Sequence, residues 1–541
     1  MNLPGGDLAG QRYRSALPHS ESSVSSTLIT QEEEALTFGS IMLLLNPFLK
    51  VGVISISYVL MAAVGYLYYS GSIYALPFLL VATSALFPLW IWKDLPAKGI
   101  PYMLIFVLLM GLFFLMPLFI SNAALLRFSP ELIPKAAISI SLYFVAIGVG
   151  WKSGMAKATL SPARWKILGE KSEDTAKLAM RIAFFLLCVG IAGQLTPFFL
   201  NLGALWSVLR AGTSAAGALG ILLGAYADGI SSKFTPKFWI LLAVMFFLSI
   251  YDILISAAVQ IMLAALLGSA LGTKKIPWKL LIVIVSVVSF LSLGKFIMRE
   301  RYWGNRGANN TGVTLMGLPG LYAEWVGASL DAMSGNVDQD RQMAKLQRKQ
   351  EGAGGGEGVF GERINSFENV LFITQQLEEA QLPLLNGATY TLIPPLLIPR
   401  FFWPDKPRAH AGQDLLNIHF ERQRPEDVDR TFIAWGFLPE GIGNFGLWLG
   451  PLIVGYVVGF VTGWLEKWSI RKEFFSVEGF LAIGLLLQDL IAYEMVASLF
   501  ITSTFQMIVV CLGGGFMLRT MFARGGAEKK IGAGMPGAVQ V

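Results

Sequence analysis

Long apolar runs separated by short polar breaks dominate the chain, and most approach or exceed the roughly 18–20 residues that a helix needs to cross a bilayer. The clearest are Val51–Tyr69, Ile73–Trp92, Ile100–Ile120, Lys135–Gly150, Lys177–Leu200, Pro277–Met298, Gly441–Trp464, Phe475–Tyr493 and Ala497–Leu518. In lipid such runs must be helical, because no water is present to bond a free N–H or C=O. Two stretches leave alternatives open. Trp206–Gly229, rich in Gly and Ala, either spans or dips in and returns, while Phe238–Leu271 is too long for one helix and short for two, and reads as a tight hairpin turning near Asp252. Ala35–Leu45 is apolar but too short to cross, so it lies on the surface or extends the first span. The pattern predicts an all-α polytopic membrane protein with about 11–13 transmembrane helices and one large loop late in the chain.

Composition narrows the class. The chain is 54% hydrophobic and 14% charged, with mean hydropathy +0.58, against roughly 45–50% and 25% for a soluble domain. A soluble enzyme is excluded. The organisation read from the pattern is a disordered cytoplasmic N-terminal tail over 1–34, a transmembrane bundle over 35–298, a large exterior loop over 299–438, C-terminal transmembrane helices over 439–518 and a cytoplasmic tail over 519–541. The first 34 residues lack the charged start and apolar core of a signal peptide.

Charge sets the expected orientation, because basic short loops resist translocation. Lys152, Lys157, Arg164, Lys166 and Lys171 cluster between two spans; Lys274, Lys275 and Lys279, then Lys467, Arg471 and Lys472, and last Arg519, Arg524, Lys529 and Lys530 mark the same side. Both termini are then cytoplasmic and Ile297–Leu438 is exterior. That loop holds 14 Lys/Arg and 17 Asp/Glu, leaving 28 basic and 19 acidic residues elsewhere. The pI near 9.1 therefore reflects membrane topology, and nucleic acid is not an expected partner. Cys188 and Cys511 fall inside apolar spans, and His19, His410 and His419 have no ligand-like spacing, so neither a metal nor another cofactor is expected.

The loop carries the chemistry-bearing residues. Its first part, Arg299–Gly361, is polar, and GAGGGEG at Gly352–Gly358 reads as a flexible linker, since no strand precedes it and no Lys-Ser/Thr follows. Phe367, Val370, Leu371, Thr374 and Leu377 recur at helical spacing, so Ser366–Ala380 reads as an amphipathic helix on the membrane surface or over the bundle. Ala388–Ile398 is apolar but broken by Pro394 and Pro395, which suits a segment dipping into the membrane edge.

The stretch ERINSFENVLFITQQLEEAQLPLLNGATYTLIPPLLIPRFFWPDKP, Glu362–Pro407, resembles the bacterial oligosaccharide repeat-unit polymerases (Wzy type) of O-antigen and exopolysaccharide biosynthesis. It has an Arg ahead of an amphipathic helix, a Leu- or Tyr-rich segment preceded by Gly, then IPR, an aromatic and WP-x-KP in that order. Farther on, PEGIGNFGLWLG at Pro439–Gly450 resembles E-x-x-x-N-F-G at the entrance to the next span, with Glu440, Asn444, Phe445 and Gly446 in those places, although the approach to Glu440 is shortened. The resemblance covers about 90 residues closely and the rest only as a hydropathy profile. It implies a C-type glycosyltransferase-like fold in the bacterial inner membrane with the loop in the periplasm. It further implies polymerisation of undecaprenyl-diphosphate-linked repeat units, with a chain-length regulator and a flippase as partners.

Such a transfer needs cations at the diphosphate leaving group and a base at the acceptor hydroxyl. Arg binds phosphate oxygens bidentately and stays charged wherever it sits. Arg363, Arg400, Lys406, Arg430 and Arg301 are the candidate diphosphate or sugar contacts, with Trp403 and Asn444; Glu440, Asp405 and His410 are the candidate bases. Glu440 comes first, because it sits where the loop re-enters the membrane. Blander readings stand beside these: Arg299 and Arg301 as headgroup anchors at a span end, Phe401 and Trp403 as interfacial anchors, Pro404, Asp405 and Pro407 as a turn, and Arg422, Arg424, Glu426, Asp427 and Asp429 as a solvated face. Asp252, Asp489 and Glu494 are acids in or near spans and count as suspects on that ground alone. Two other activities compete with polymerisation: a ligase passing finished glycan to another acceptor, and a transporter or flippase for the lipid-linked oligosaccharide. A transporter tends to show repeated halves and short external loops; here no repeat is evident and the motifs crowd one long loop.

The orientation is checked by reporter fusions. Phosphatase activity is expected from a fusion near Gly355 and none from fusions at Lys157 or after Lys530; the opposite pattern overturns the assignment of sides.

Overall fold

The computed structural model describes residues 37–334 and 365–532, apart from breaks at 96–97, 167–172, 201–204, 232–234, 276, 304–311, 399–401, 404, 427, 429–432 and 490–493. Its elements are helices throughout; among the described residues no strand forms, only two isolated bridges, Thr37 with Glu473 and Lys166 with Ser476. The first half runs through α1 (Phe38–Tyr69), α2 (Ala75–Lys93), α3 (Tyr102–Phe119), α4 (Leu132–Lys157), α5 (Glu173–Phe199), α6 (Leu205–Ser231), α7 (Pro236–Ile250), α8 (Ile255–Thr273), α9 (Trp278–Trp303) and α10 (Leu318–Ser334). The remainder is α11 (Ser366–Glu378), α12 (Ala388–Thr391), α13 (Ile393–Leu397), α14 (Ala411–His419), α15 (Phe437–Ser469), α16 (Val477–Asp489) and α17 (Ala497–Gly532).

Eight of the described helices, α1 to α5, α9, α15 and α17, are long and apolar enough to cross a membrane, which makes this a multi-pass helical membrane protein. The open stretches resolve simply. Trp206–Gly229 lies within α6, one continuous helix of 27 residues, and Phe238–Leu271 turns at Tyr251–Leu254 between α7 and α8, with Ile253 at φ +58°. Ala35–Leu45 extends the first span from Phe38 on, where α1 starts and Thr37 and Ser40 close a capping box, and residues 35–36 lie outside the described residues. Of the expected span Phe475–Tyr493, α16 accounts for the 13 residues Val477–Asp489, and residues 490–493 lie outside the described residues. At the other end, α17 continues past Leu518 to Gly532, because no Pro interrupts it and its basic residues are good helix formers.

Small residues set the central packing. α15 places Gly455, Gly459 and Gly463 four apart along one face, against the carbonyl oxygens of Tyr143, Ile147 and Trp151, also four apart on α4. In return Gly150 and Gly154 of α4 lie against the Tyr456 and Phe460 carbonyls of α15. A Cβ on any of these glycines would run into backbone, so the two helices approach as closely as backbones can. Lipid tails are as apolar as a leucine, so association in the membrane rests on such dispersion contacts more than on hydrophobic burial. α2, α3, α11 and the start of α15 pack around α4 in one core, with Phe114, Phe144, Ile147 and Trp151 buried. α5 to α8 and α16 enclose a second, and α8 to α10 a third around Trp325. α1 is the least buried of the eight along its length, touching the cores through Phe38, Met42, Val53 and Leu67.

The end of α15 opposite the loop is held by polar groups. Glu466 is fully buried, and its Oε1 accepts from the Trp92 indole at 2.6 Å and its Oε2 from the Trp151 indole at 3.1 Å. Lys98, in the turn between α2 and α3, sits 3.9 Å above the Trp92 ring and donates to Asn46 Oδ1 at 2.6 Å. Burial draws its ammonium down to about 8, with Lys50 adding to the fall and Glu466 and Asp94 opposing it.

Gly459→Ala is expected to destabilise the protein by about 1–3 kcal/mol through overpacking against α4. Gly52→Ala, at a site with no neighbour within 4 Å, is expected to leave stability unchanged or slightly raised. Thermal melting of the detergent-solubilised protein makes the comparison, and equal melting of the two variants would remove the close-approach account.

Candidate functional site

The site grows from a local break in α15. Gly446 has φ +86° and ψ 171° inside this helix, a conformation open to glycine and strained for other residues, so the first turns bend away from the long span. Glu440 and Asn444 lie on the short leading piece, one turn apart and so on one face. Asn444 is fully buried and uses its whole amide: Nδ2 donates to the Glu440 carbonyl at 2.8 Å and to Thr389 Oγ1 at 2.9 Å, and Oδ1 accepts from the Gly387 N–H at 3.0 Å. Beside it, the Leu385 and Asn386 N–H groups donate to the Gly443 and Asn444 carbonyls at 3.0 and 3.1 Å. Gly387, at φ +89°, then turns the chain into α12. Asn444 thereby fastens the loop to the bundle.

Glu440 sits at that fastening, fully buried. Its Oε2 accepts from the Ala497 N–H, the first of α17, at 2.6 Å. That bond places a carboxylate at a helix N-terminus, where free N–H groups and the macrodipole favour it. Oε1 has no hydrogen-bond partner. Thr389 interacts with the carboxylate, outside hydrogen-bond geometry; its hydroxyl oxygen accepts from Asn444, and its proton remains to be donated. Tyr390, next along α12, stacks on Phe445 with ring centres 5.6 Å apart and planes within 5°. Burial first, then the Glu440 charge, drives the Tyr390 phenol far above its ordinary range, so it remains a protonated donor.

Of the three candidate bases, Glu440 lies at this junction. His410 stands just before α14, its Nδ1 3.3 Å from Gln413 Oε1, and Asp405 is exposed. Lys406 donates to the Leu396 and Ile398 carbonyls, closing the C-terminal end of α13. Trp403 is exposed beside Phe402. Arg301 is elsewhere: on α9, it pairs with Glu324 of α10 at 2.9 Å. Arg363, Arg400, Arg430, Phe401, Pro404 and the glycine linker lie outside the described residues.

The expectation of a solvated face over Arg422–Asp429 needs one correction. Arg424 and Glu426 are exposed, and Asp427 and Asp429 lie outside the described residues, but Arg422 is half-buried. After Glu421, at φ +56°, the chain folds back so that the Arg422 and Gln423 N–H groups donate to the Asn417 carbonyl. The guanidinium is carried between the Phe372 and Trp435 rings, 5.0 and 5.2 Å away, and Nη2 donates to Asn369 Oδ1 at 2.8 Å. Nη1 is buried without an acceptor. Burial brings this guanidinium down to about 10 while the nearby Glu368 charge works the other way; burial likewise raises Glu368, with Arg422 and Arg127 opposing. Trp435 is fixed in turn by its indole bond to Asn417 Oδ1 at 2.6 Å. α11, running Ser366–Glu378 with Phe367, Val370, Leu371 and Thr374 buried, is thus tied through Arg422 to the approach to Glu440.

Sequence reasoning passed over Thr389, Tyr390 and Ser498, and took Arg422 for part of a solvated face. Thr389 and Tyr390 lie inside the quoted motif stretch, but nothing local marks Ser498, which begins an apolar span. Compared with protein-family models, with curated proteins and with solved structures, the chain finds no match in any of the three.

Arg422→Ala is expected to cost about 2 kcal/mol of stability, because it removes a desolvated cation–aromatic contact and leaves Asn369 Oδ1 unbonded. Arg422→Lys keeps charge without the planar fork and is expected to recover part of the loss. Melting curves of the two variants decide; a wild-type value for Ala would return Arg422 to the solvated face.

Proposed function

We propose that the chain is a membrane-embedded glycosyltransferase that polymerises oligosaccharide repeat units carried on a lipid diphosphate, undecaprenyl diphosphate by the resemblance, at the exterior, periplasmic face of the inner membrane. The reading is carried by one observation: Glu440 is anchored through Oε2 to the start of α17 while Oε1 stays unbonded, where the motif-bearing loop joins the bundle. In the proposed step the acceptor hydroxyl oxygen attacks the anomeric carbon of the donor. The bond from that carbon to the diphosphate oxygen breaks, the diphosphate leaves with the electron pair, and Glu440 takes the hydroxyl proton on Oε1. Asn444 holds the loop against the helix that carries the base. Arg363, Arg400 and Arg430 are proposed for the leaving diphosphate on the grounds of charge and motif.

Glu440 also has a plain structural task as a partner of the α17 N-terminus, and one substitution separates the two. Gln at 440 can still accept the Ala497 N–H through its amide oxygen, yet it has no basicity. The variant is expected to remain in the membrane at normal levels and to lose roughly 10²–10⁴-fold in polymerisation rate, read as accumulation of single repeat units on the carrier. Polymer close to wild type in Glu440→Gln ends the assignment; Asp405→Asn and His410→Gln are the comparison variants. A strain lacking the protein is expected to show single units, whereas unattached polymer would mean a ligase and units held on the cytoplasmic side a flippase.

A further inference from the structure

Two more buried hydroxyls at this junction have no hydrogen-bond partner. Ser498 is fully buried one residue after the N–H that holds Glu440; its carbonyl accepts from Thr502 Oγ1 at 2.7 Å, but its own Oγ bonds to nothing. The Tyr390 Oη is likewise buried and unbonded. The neighbouring backbone leaves room for Ser498: Gly412 of α14 faces it so closely that a Cβ there would stand 2.6 Å from Ser498 Oγ, with the Thr389 carbonyl 3.8 Å from that same point. Four elements therefore meet here: α12 with Thr389 and Tyr390, α14 with Gly412, the bent start of α15 with Glu440, and the start of α17 with Ser498.

Buried polar groups in folded proteins are nearly always bonded, so three orphans on converging elements mark a place where water or a ligand belongs. We propose that Ser498 and Tyr390 complete, with Glu440, a receptor for the hydroxyls of the acceptor sugar, a proposal that rests on the function argued above. The donor and acceptor balance fits a polyol. A sugar O–H gives its proton to a carboxylate oxygen and accepts from a neighbouring O–H, and both protein hydroxyls are free to supply one. An ionised phosphate has no proton for Glu440 and would be repelled by it, which places this corner at the acceptor end of the reaction and leaves the diphosphate to the cations of the loop. Tyr390 adds a ring stacked on Phe445 beside the receptor, a surface suited to the apolar face of a sugar.

The decisive measurement uses the full-length protein in lipid nanodiscs, supplied with carrier-linked single repeat units extracted from the deletion strain. Ser498→Ala and Tyr390→Phe are each expected to slow polymerisation ~5–10-fold, the worth of one hydrogen bond made to substrate. Neither hydroxyl bonds to the protein, so the melting temperature is expected to stay or rise. Gly412→Ala, whose methyl displaces the Ser498 hydroxyl, is expected to slow the reaction in the same way. Wild-type rates in both hydroxyl variants overturn the proposal, as does a rate loss that tracks a fall in melting temperature, which marks a structural role. Failure of the underlying reading looks different: the deletion strain would then keep its polymer and yield no single units.

Discussion

The close contact of α4 with α15 is the constraint on which the rest of the structure depends. Three glycines of α15 and two of α4 bring the backbones together, and both ends of that seam carry the polar groups of interest. At one end Trp151 of α4 reaches Glu466; at the other, Ser139 Oγ of α4 donates to the Leu447 carbonyl just past the Gly446 break, at 2.9 Å. That bond takes up a carbonyl left open because Pro451, four residues on, has no N–H to give it, and polar groups near lipid need such internal partners. A wider seam would leave it open. The seam thus holds the long part of α15 in place, and the left-handed Gly446 turns the piece that carries Glu440 away from it.

Above the seam, the loop is attached by burial and by hydrogen bonds together. Asn444 spends its entire amide on the α15 backbone and on the segment from Gly387 to Thr389, and α11 lays its apolar face on α4 and α15. Arg422 ties these layers through Asn369, Phe372 and Trp435. Amide and guanidinium groups hold a fixed geometry once all partners are in place, and each costs roughly 1–3 kcal/mol if a partner is lost. The loop is held rigidly at the point where it meets the bundle, which is what a site assembled from two parts of the chain requires.

How much of this was legible before the structure follows from the kind of physics each feature uses. Spans and the amphipathic helix were readable because period and length carry them: Phe367, Val370, Leu371 and Thr374 are buried as their spacing requires. Asn444 and Gly446 were visible as letters of a motif, but not their work, which lies in bonds to residues 55 or more positions away and in one left-handed dihedral. Ser498 had no signal at all, since a serine at the head of an apolar run is unremarkable until its surroundings are known. Arg422 was misread for a related reason. In a stretch with Arg424, Glu426 and Asp427 it has the composition of a solvated face, and only the turn at Glu421 carries it beneath the aromatics. The Gly455, Gly459, Gly463 stripe, by contrast, is a local four-residue pattern of the kind that brings membrane helices together, and it could have been read from the chain alone.

Glu440 differs from the other buried acid on the same helix in a way that a helix partner alone does not require. Glu466 and Glu440 lie 26 residues apart, roughly 39 Å along α15 if it were straight, and both are fully buried. Glu466 has each oxygen bonded to an indole N–H, the arrangement expected of a buried group kept for structure. Glu440 has one oxygen bonded and one bare, with two unbonded hydroxyls on neighbouring elements. An orphan of this kind costs roughly 1–3 kcal/mol, and replacing it by an apolar side chain of similar shape would remove that cost. A group kept in spite of it, at the junction of a loop and a bundle, fits the trade of stability for activity that reacting sites commonly make. On one helix, then, the same side chain occurs once with its valences filled and once with a valence open, and the open one is where chemistry is proposed.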